Sequence, residues 1–221
     1  GRFIYFVPLD AVGGGAGYNG EVIRYDTQSD FQQATSWSAY NSAAHGTVAP
    51  PHGYVEAAYD GHYVYFGPYL REGLSPYSQV LRYDTQLGFQ DALAWSTFDP
   101  GAQGVGRTPG GYRGVVYDCK NVFFVPFLES YGSPWRFTSE TLRYDTKREF
   151  QNINAWSAYN PVTTGSWKIP QGYDGGVFDG RYLYFAPTHD NVNHGTVLRY
   201  DTWIGSADVQ GNGIPDTCEG H

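Results

Sequence analysis

Val197-Leu198-Arg199-Tyr200-Asp201-Thr202 is one of four near copies of the same hexapeptide. The others are Val22-Ile23-Arg24-Tyr25-Asp26-Thr27, Val80-Leu81-Arg82-Tyr83-Asp84-Thr85 and Thr141-Leu142-Arg143-Tyr144-Asp145-Thr146. Their Asp positions lie 58, 61 and 56 residues apart. Recurrence at such a period marks a repeat architecture, in which each unit buries its apolar face against its neighbours. Alternation along the hexapeptide sets Val197, Arg199 and Asp201 on one face of a strand, with Leu198 and Tyr200 on the other.

Working outward, the rest of each unit falls into the same order. Ahead of the hexapeptide runs an aromatic stretch closed by proline: Phe3 to Pro8, Tyr63 to Pro68, Val122 to Pro126 and Tyr182 to Pro187. Proline carries no amide proton for a ladder, so it is expected to end the strand. Ahead of that, a Gly-rich apolar segment ends at Asp60, Asp118 or Asp179 and is followed by Gly61, Cys119 or Gly180. Asp-Gly between alternating segments signals a hairpin, because both residues tolerate positive φ. Behind the hexapeptide come a Phe-containing turn and a Trp strand: Phe31 to Tyr40, Phe89 to Phe98 and Phe150 to Tyr159. Trp37, Trp95 and Trp156 hold equivalent places. No segment sustains a 3.6-residue period, so the chain reads as all-β.

Four short antiparallel strands per unit, repeated radially, describe a β-propeller of about four repeats of 56–61 residues. The Tyr-Asp-Thr turn followed by Phe and Trp, and the Asp-Gly hairpin before an aromatic strand, resemble kelch-like propeller repeats. That resemblance covers residues 1 to about 203 and implies a propeller domain there. It departs from kelch where proline stands in place of the Gly-Gly pair after the second strand. The second and third strands occur four times and the first and fourth three times, so the terminal blades are incomplete. Three arrangements stay open: a compact ring with trimmed blades, part of a bigger ring, or a protomer completed by another chain. Gly1 falls inside what is elsewhere the Asp-Gly turn, so a longer parent is expected.

The net charge is −8, which disfavours nucleic acid, since phosphate binders cluster Lys and Arg. No apolar run approaches the roughly 20 residues that cross a bilayer, so no membrane insertion is expected. No signal peptide is visible. Cys119 and Cys218 fit a single disulfide in an extracellular or cell-surface protein; two unrelated thiols are the alternative.

Past Trp203 a different pattern occupies residues 204–221. Asp208, Gln210, Asn212, Asp216 and Glu219 stand at positions 1, 3, 5, 9 and 12 of a loop with Gly213 at position 6, and Ile214 offers a carbonyl. That spacing wraps a hard cation, and the Asn-Gly-Ile-Pro-Asp core is similar to the calcium loops of thrombospondin type 3 repeats and dockerins. The resemblance implies a Ca2+ site. Gln210 departs from the usual Asp or Asn, and a solvated acidic tail is the alternative.

Other chemistry is sparse. The repeated Arg and Asp are expected to be structural, pairing two apart on a strand face or bonding the following turn. The Trp positions are expected to pack between units. Glu21, Glu56, Glu72, Glu129, Glu140 and Glu149 share no repeat position, so no glycosidase carboxylate pair is marked. The six histidines lack metal-ligand spacing. The most variable segments are Leu9 to Gly20, Tyr69 to Ser78, Phe127 to Glu140 and Thr188 to Gly195, which carry Tyr18, Tyr69, Tyr77, Tyr131 and Trp135. Such rings can stack on sugars or anchor a protein. The expectation is therefore a secreted, non-enzymatic module binding glycan or extracellular protein through these loops. A self-assembling structural subunit, homo-oligomeric through strand pairing between chains, is the alternative, and a glycoside hydrolase a lesser one.

Overall fold

The computed structural model describes residues 1–9, 20–42, 52–71, 74–107, 109–132, 134–163 and 170–203. These residues are all-β apart from single turns of 3-10 helix, and each repeat builds one antiparallel sheet. Sheet I holds β1 (Phe3–Phe6), β2 (Glu21–Asp26) and β3 (Trp37–Asn41). Sheet II holds β4 (His52–Tyr59), β5 (Tyr63–Arg71), the short β6 (Ser75–Pro76), β7 (Val80–Asp84) and β8 (Trp95–Phe98). Sheet III follows with β9 (Tyr112–Tyr117) and β10 (Asn121–Pro126). A separate ribbon, β11 (Leu128–Ser130) with β12 (Arg136–Phe137), comes next, and β13 (Thr141–Asp145) and β14 (Trp156–Tyr159) complete sheet III. Sheet IV holds β15 (Tyr173–Phe178), β16 (Tyr182–Pro187) and β17 (Leu198–Asp201). Among the described residues no strand pairing closes these sheets into a barrel.

One register serves all four sheets. Phe3, Tyr63, Asn121 and Tyr182 stand opposite Asp26, Asp84, Asp145 and Asp201. Local hydrogen bonds make this register repeat. Asp60 Oδ1 accepts the amide protons of His62 and Tyr63 at 2.8 and 2.6 Å, and Asp179 Oδ1 accepts those of Arg181 and Tyr182 at 2.9 and 2.6 Å. Gly61 and Gly180 turn the chain there at φ 99° and 102°, a region L-residues rarely adopt. At the same turn the hydroxyls of Thr27, Thr85, Thr146 and Thr202 donate to the carbonyls of Arg2, His62, Lys120 and Arg181. After the hexapeptide, a 3-10 turn at Ala34–Ser36, Ala92–Ala94 or Ile153–Ala155 leads into the Trp strand. Each Trp Nε1 donates back to the Phe carbonyl six residues earlier, at 2.9–3.0 Å.

The first strands of successive units run side by side, β4 against β9 and β9 against β15. They approach so closely that a methyl at Gly114 would stand 2.9 Å from the Cα of Gly175. Between sheets the core is aromatic. Tyr5 and Tyr40 of sheet I meet Phe89 and Trp95 of sheet II, and Tyr65 and Phe98 of sheet II meet Phe150 and Trp156 of sheet III.

Three sequence expectations need correction. Pro68 does not end its strand: β5 runs through it to Arg71, because the register with β4 shifts on either side of Tyr54, opposite Pro68, and removes the need for an amide there. The loops Tyr69 to Ser78 and Phe127 to Glu140 contain β6, β11 and β12. The hexapeptide Asp does not take the Arg two residues before it as its partner. Asp26, Asp84 and Asp201 pair with Arg2, His62 and Arg181 from the hairpin turn, at 2.6, 2.8 and 3.0 Å. Two hexapeptide arginines, Arg24 and Arg82, reach instead into ring stacks between sheets.

Candidate functional site

Two of the hexapeptide arginines, Arg24 and Arg82, bridge neighbouring sheets. Arg82 places its guanidinium carbon 4.2 Å from the ring centroids of both Tyr63 in its own sheet and Phe150 in the next. Arg24 does the same between Phe3 and Phe89, at 4.2 and 4.4 Å. Their Nε atoms donate to Ser96 and Ser38 at 3.2 Å. A guanidinium held over two aromatic faces joins sheets through cation–π attraction.

The loop side of sheets II and III carries a different arrangement. Tyr69 packs on Phe127 at 6.3 Å, Phe127 on Phe137 at 5.2 Å, Phe137 on Trp135 at 6.2 Å, and Trp135 on Tyr131 at 4.6 Å. The buried end of this row is anchored by Leu70 and Leu128. Its outer end, Tyr131 and Trp135, is exposed. The β11–β12 ribbon positions the pair, because it folds the connection back so that both rings project from one short hairpin. Beside Trp135 lies a hollow of about 370 Å³ lined also by Gly132, Pro134, His189 and Asn191.

Beneath the row sit charges that the sequence pattern did not mark. Arg113 Nη1 pairs with Asp174 at 3.1 Å, and its guanidinium carbon lies 4.4 Å from Phe127 and 5.3 Å from Tyr69. Its Nε is buried without a protein acceptor. On the neighbouring first strand, Glu56 Oε2 accepts the amide proton of Val115 at 3.0 Å. Burial pushes the Glu56 carboxyl above its ordinary pKa. Arg113 and Asp174 each stand five residues before the turn Asp of their unit, where unit II has Val55. That change from apolar to charged at one repeat position is the signal that could have found them.

The expected site residues separate accordingly. Tyr131 and Trp135 come together at the surface. Tyr69 and Tyr77, expected on the open loop face, are buried. Tyr77 donates its hydroxyl proton to the Gly53 carbonyl at 3.0 Å and packs edge-on against Tyr54, so it closes the top of sheet II. Tyr18 lies outside the described residues, as do Asp208, Gln210, Asn212, Ile214, Asp216 and Glu219. Cys119 is disulfide-bonded; its expected partner Cys218 is outside the described residues. Among the described residues no helix is long and apolar enough to cross a membrane.

No protein-family model matches the chain, and it matches no curated protein.

Proposed function

We propose that this chain is a secreted, non-enzymatic binding module. In this reading the four sheets are propeller blades of kelch-like repeats, and their loop side holds a glycan or an extracellular protein. One observation carries it: Tyr131 and Trp135 are both exposed and lie 4.6 Å apart beside a hollow that His189 and Asn191 furnish with polar groups. An indole face suits the C–H face of a sugar while polar neighbours take its hydroxyls. The calcium-like loop of residues 208–219 belongs to the same reading, as an extracellular stabilising site.

A glycan array probed with the intact chain in calcium buffer tests this. The expected result is binding to a related set of sugars, weakened at least about tenfold by Trp135→Ala. A silent array moves the reading to a protein ligand. Glycan binding unchanged in Trp135→Ala would remove the aromatic pair from the site.

A further inference from the structure

Three of the four hexapeptide strands have an outer neighbour, and β17 has none among the described residues. At β2, β7 and β13 that neighbour pairs in one register. Tyr25, Tyr83 and Tyr144 face Trp37, Trp95 and Trp156, while Arg24, Arg82 and Arg143 face Ser38, Ser96 and Ser157. Each Trp ring lies 4.6–4.7 Å from its Tyr. Each Arg Nε donates to its Ser at 3.1–3.2 Å. Tyr200 and Arg199 occupy the same places on β17, with no strand opposite them among the described residues. Tyr200 is 42% exposed, whereas Tyr83 and Tyr144 are each 1% exposed.

Among the described residues, the space filled elsewhere by the Phe and Trp of the outer segment is open at this junction. A cavity of about 620 Å³ separates sheets III and IV, with Phe123, Arg143, Tyr159, Phe185, Leu198 and Tyr200 in its walls. Each wall matches one that grips a ring elsewhere. Phe185 stands where Phe66 and Phe124 each lie 6.1 Å from a Trp. Phe123 stands where Tyr65 lies 6.3 Å from Phe150. Arg143 stands where Arg24 and Arg82 cover Phe89 and Phe150. Residues 204–221 contain no Phe, Tyr or Trp.

We infer that the junction of sheets III and IV is a docking site for an extended strand of another polypeptide with the chemistry Phe-x5-Trp-Ser-Ala-Tyr. The strand pairs antiparallel with β17, its Trp opposite Tyr200 and its Ser opposite Arg199. An open sheet edge supplies backbone hydrogen bonds, and the adjoining aromatic pocket supplies selectivity. The two filled junctions, between sheets I and II and between sheets II and III, are the same interface made within the chain. This site lies apart from the Tyr131–Trp135 pair, and the glycan reading does not bear on it.

The test uses a peptide with the sequence of residues 150–159, titrated calorimetrically into the full chain. The expected result is saturable one-to-one binding, with slowed hydrogen exchange of the amides of residues 198–201. Replacing the peptide's Trp by Ala, or Tyr200→Ser in the full chain, weakens binding at least about tenfold. Tyr200 is partly exposed, so its replacement leaves the fold in place, and the peptide variant needs no refolding at all. Absence of saturable binding overturns the inference, as does binding indifferent to both replacements.

Discussion

Tyr40 and Trp95 lie face to face, their centroids 4.4 Å apart and their planes within 2° of parallel, although they belong to different sheets. Trp95 also touches Tyr83, Phe89 and Phe66, so one indole ties four rings of sheets I and II together. Trp95→Ala should therefore lose about 3–5 kcal/mol of stability. Trp37 holds the same repeat position on sheet I, but its neighbour Phe31 is exposed and, among the described residues, no further sheet covers them. Trp37→Ala should lose less than half as much, measured by urea denaturation of both variants.

Arg82 and Arg143 offer a second comparison. Arg82 is held between two rings, whereas Asn121 stands beside Arg143 where Tyr63 stands beside Arg82. Lysine keeps the charge but loses the planar stack. Arg82→Lys should lower stability by about 1 kcal/mol, and Arg143→Lys by clearly less. Equal losses would show that the bond to the strand serine, shared by both, is what matters.

Glu56 sets the sign of a pH effect. Burial raises its carboxyl pKa, outweighing the hydrogen bond from Val115. The folded chain thus holds this proton more tightly than the unfolded chain, so stability falls as pH rises from the ordinary Glu value of about 4.3 through the raised one. Glu56→Gln keeps an acceptor for Val115 and removes that fall. Thermal melts from pH 4 to 8 should show the variant gaining on the parent as pH rises. A widening deficit instead would mean that the ionised carboxylate itself stabilises the fold.

Cys119 occupies the turn position where the other units have glycine, and its φ is 73°. Left-handed backbone disfavours a residue with a Cβ by about 1–2 kcal/mol. Under reducing conditions Cys119→Gly should be about 1 kcal/mol more stable than the reduced parent. Under oxidising conditions the order should reverse, because the variant has lost a cross-link that typically contributes about 2–4 kcal/mol.

Calcium is tested by its linkage to folding. A cation bound only by the folded chain raises the melting temperature. Chelation should lower it, and Asp208→Ala should abolish the difference between chelated and calcium-loaded samples. An unchanged melting temperature would make residues 208–219 a solvated acidic tail.

The repeat boundaries, the hairpin turns and the place of each Trp strand were legible in the sequence for a local reason. Asp60 bonds the amides two and three residues ahead, and Trp95 bonds a carbonyl six residues behind. Such contacts are set by short-range spacing, so identical spacing repeats the same structure. What the arginines, Tyr69, Tyr77 and the charged first strands do was settled only in three dimensions. Arg82 reaches Phe150, Arg113 reaches Asp174, and Tyr77 reaches Gly53 across separations that no local pattern encodes. Sheet stacking brings those groups together, because each unit's apolar and aromatic face can leave water only against the next unit. The junction beside β17 divides the same way: its missing Trp strand is legible in the repeat count, and the cavity left among the described residues is seen only where sheets III and IV meet.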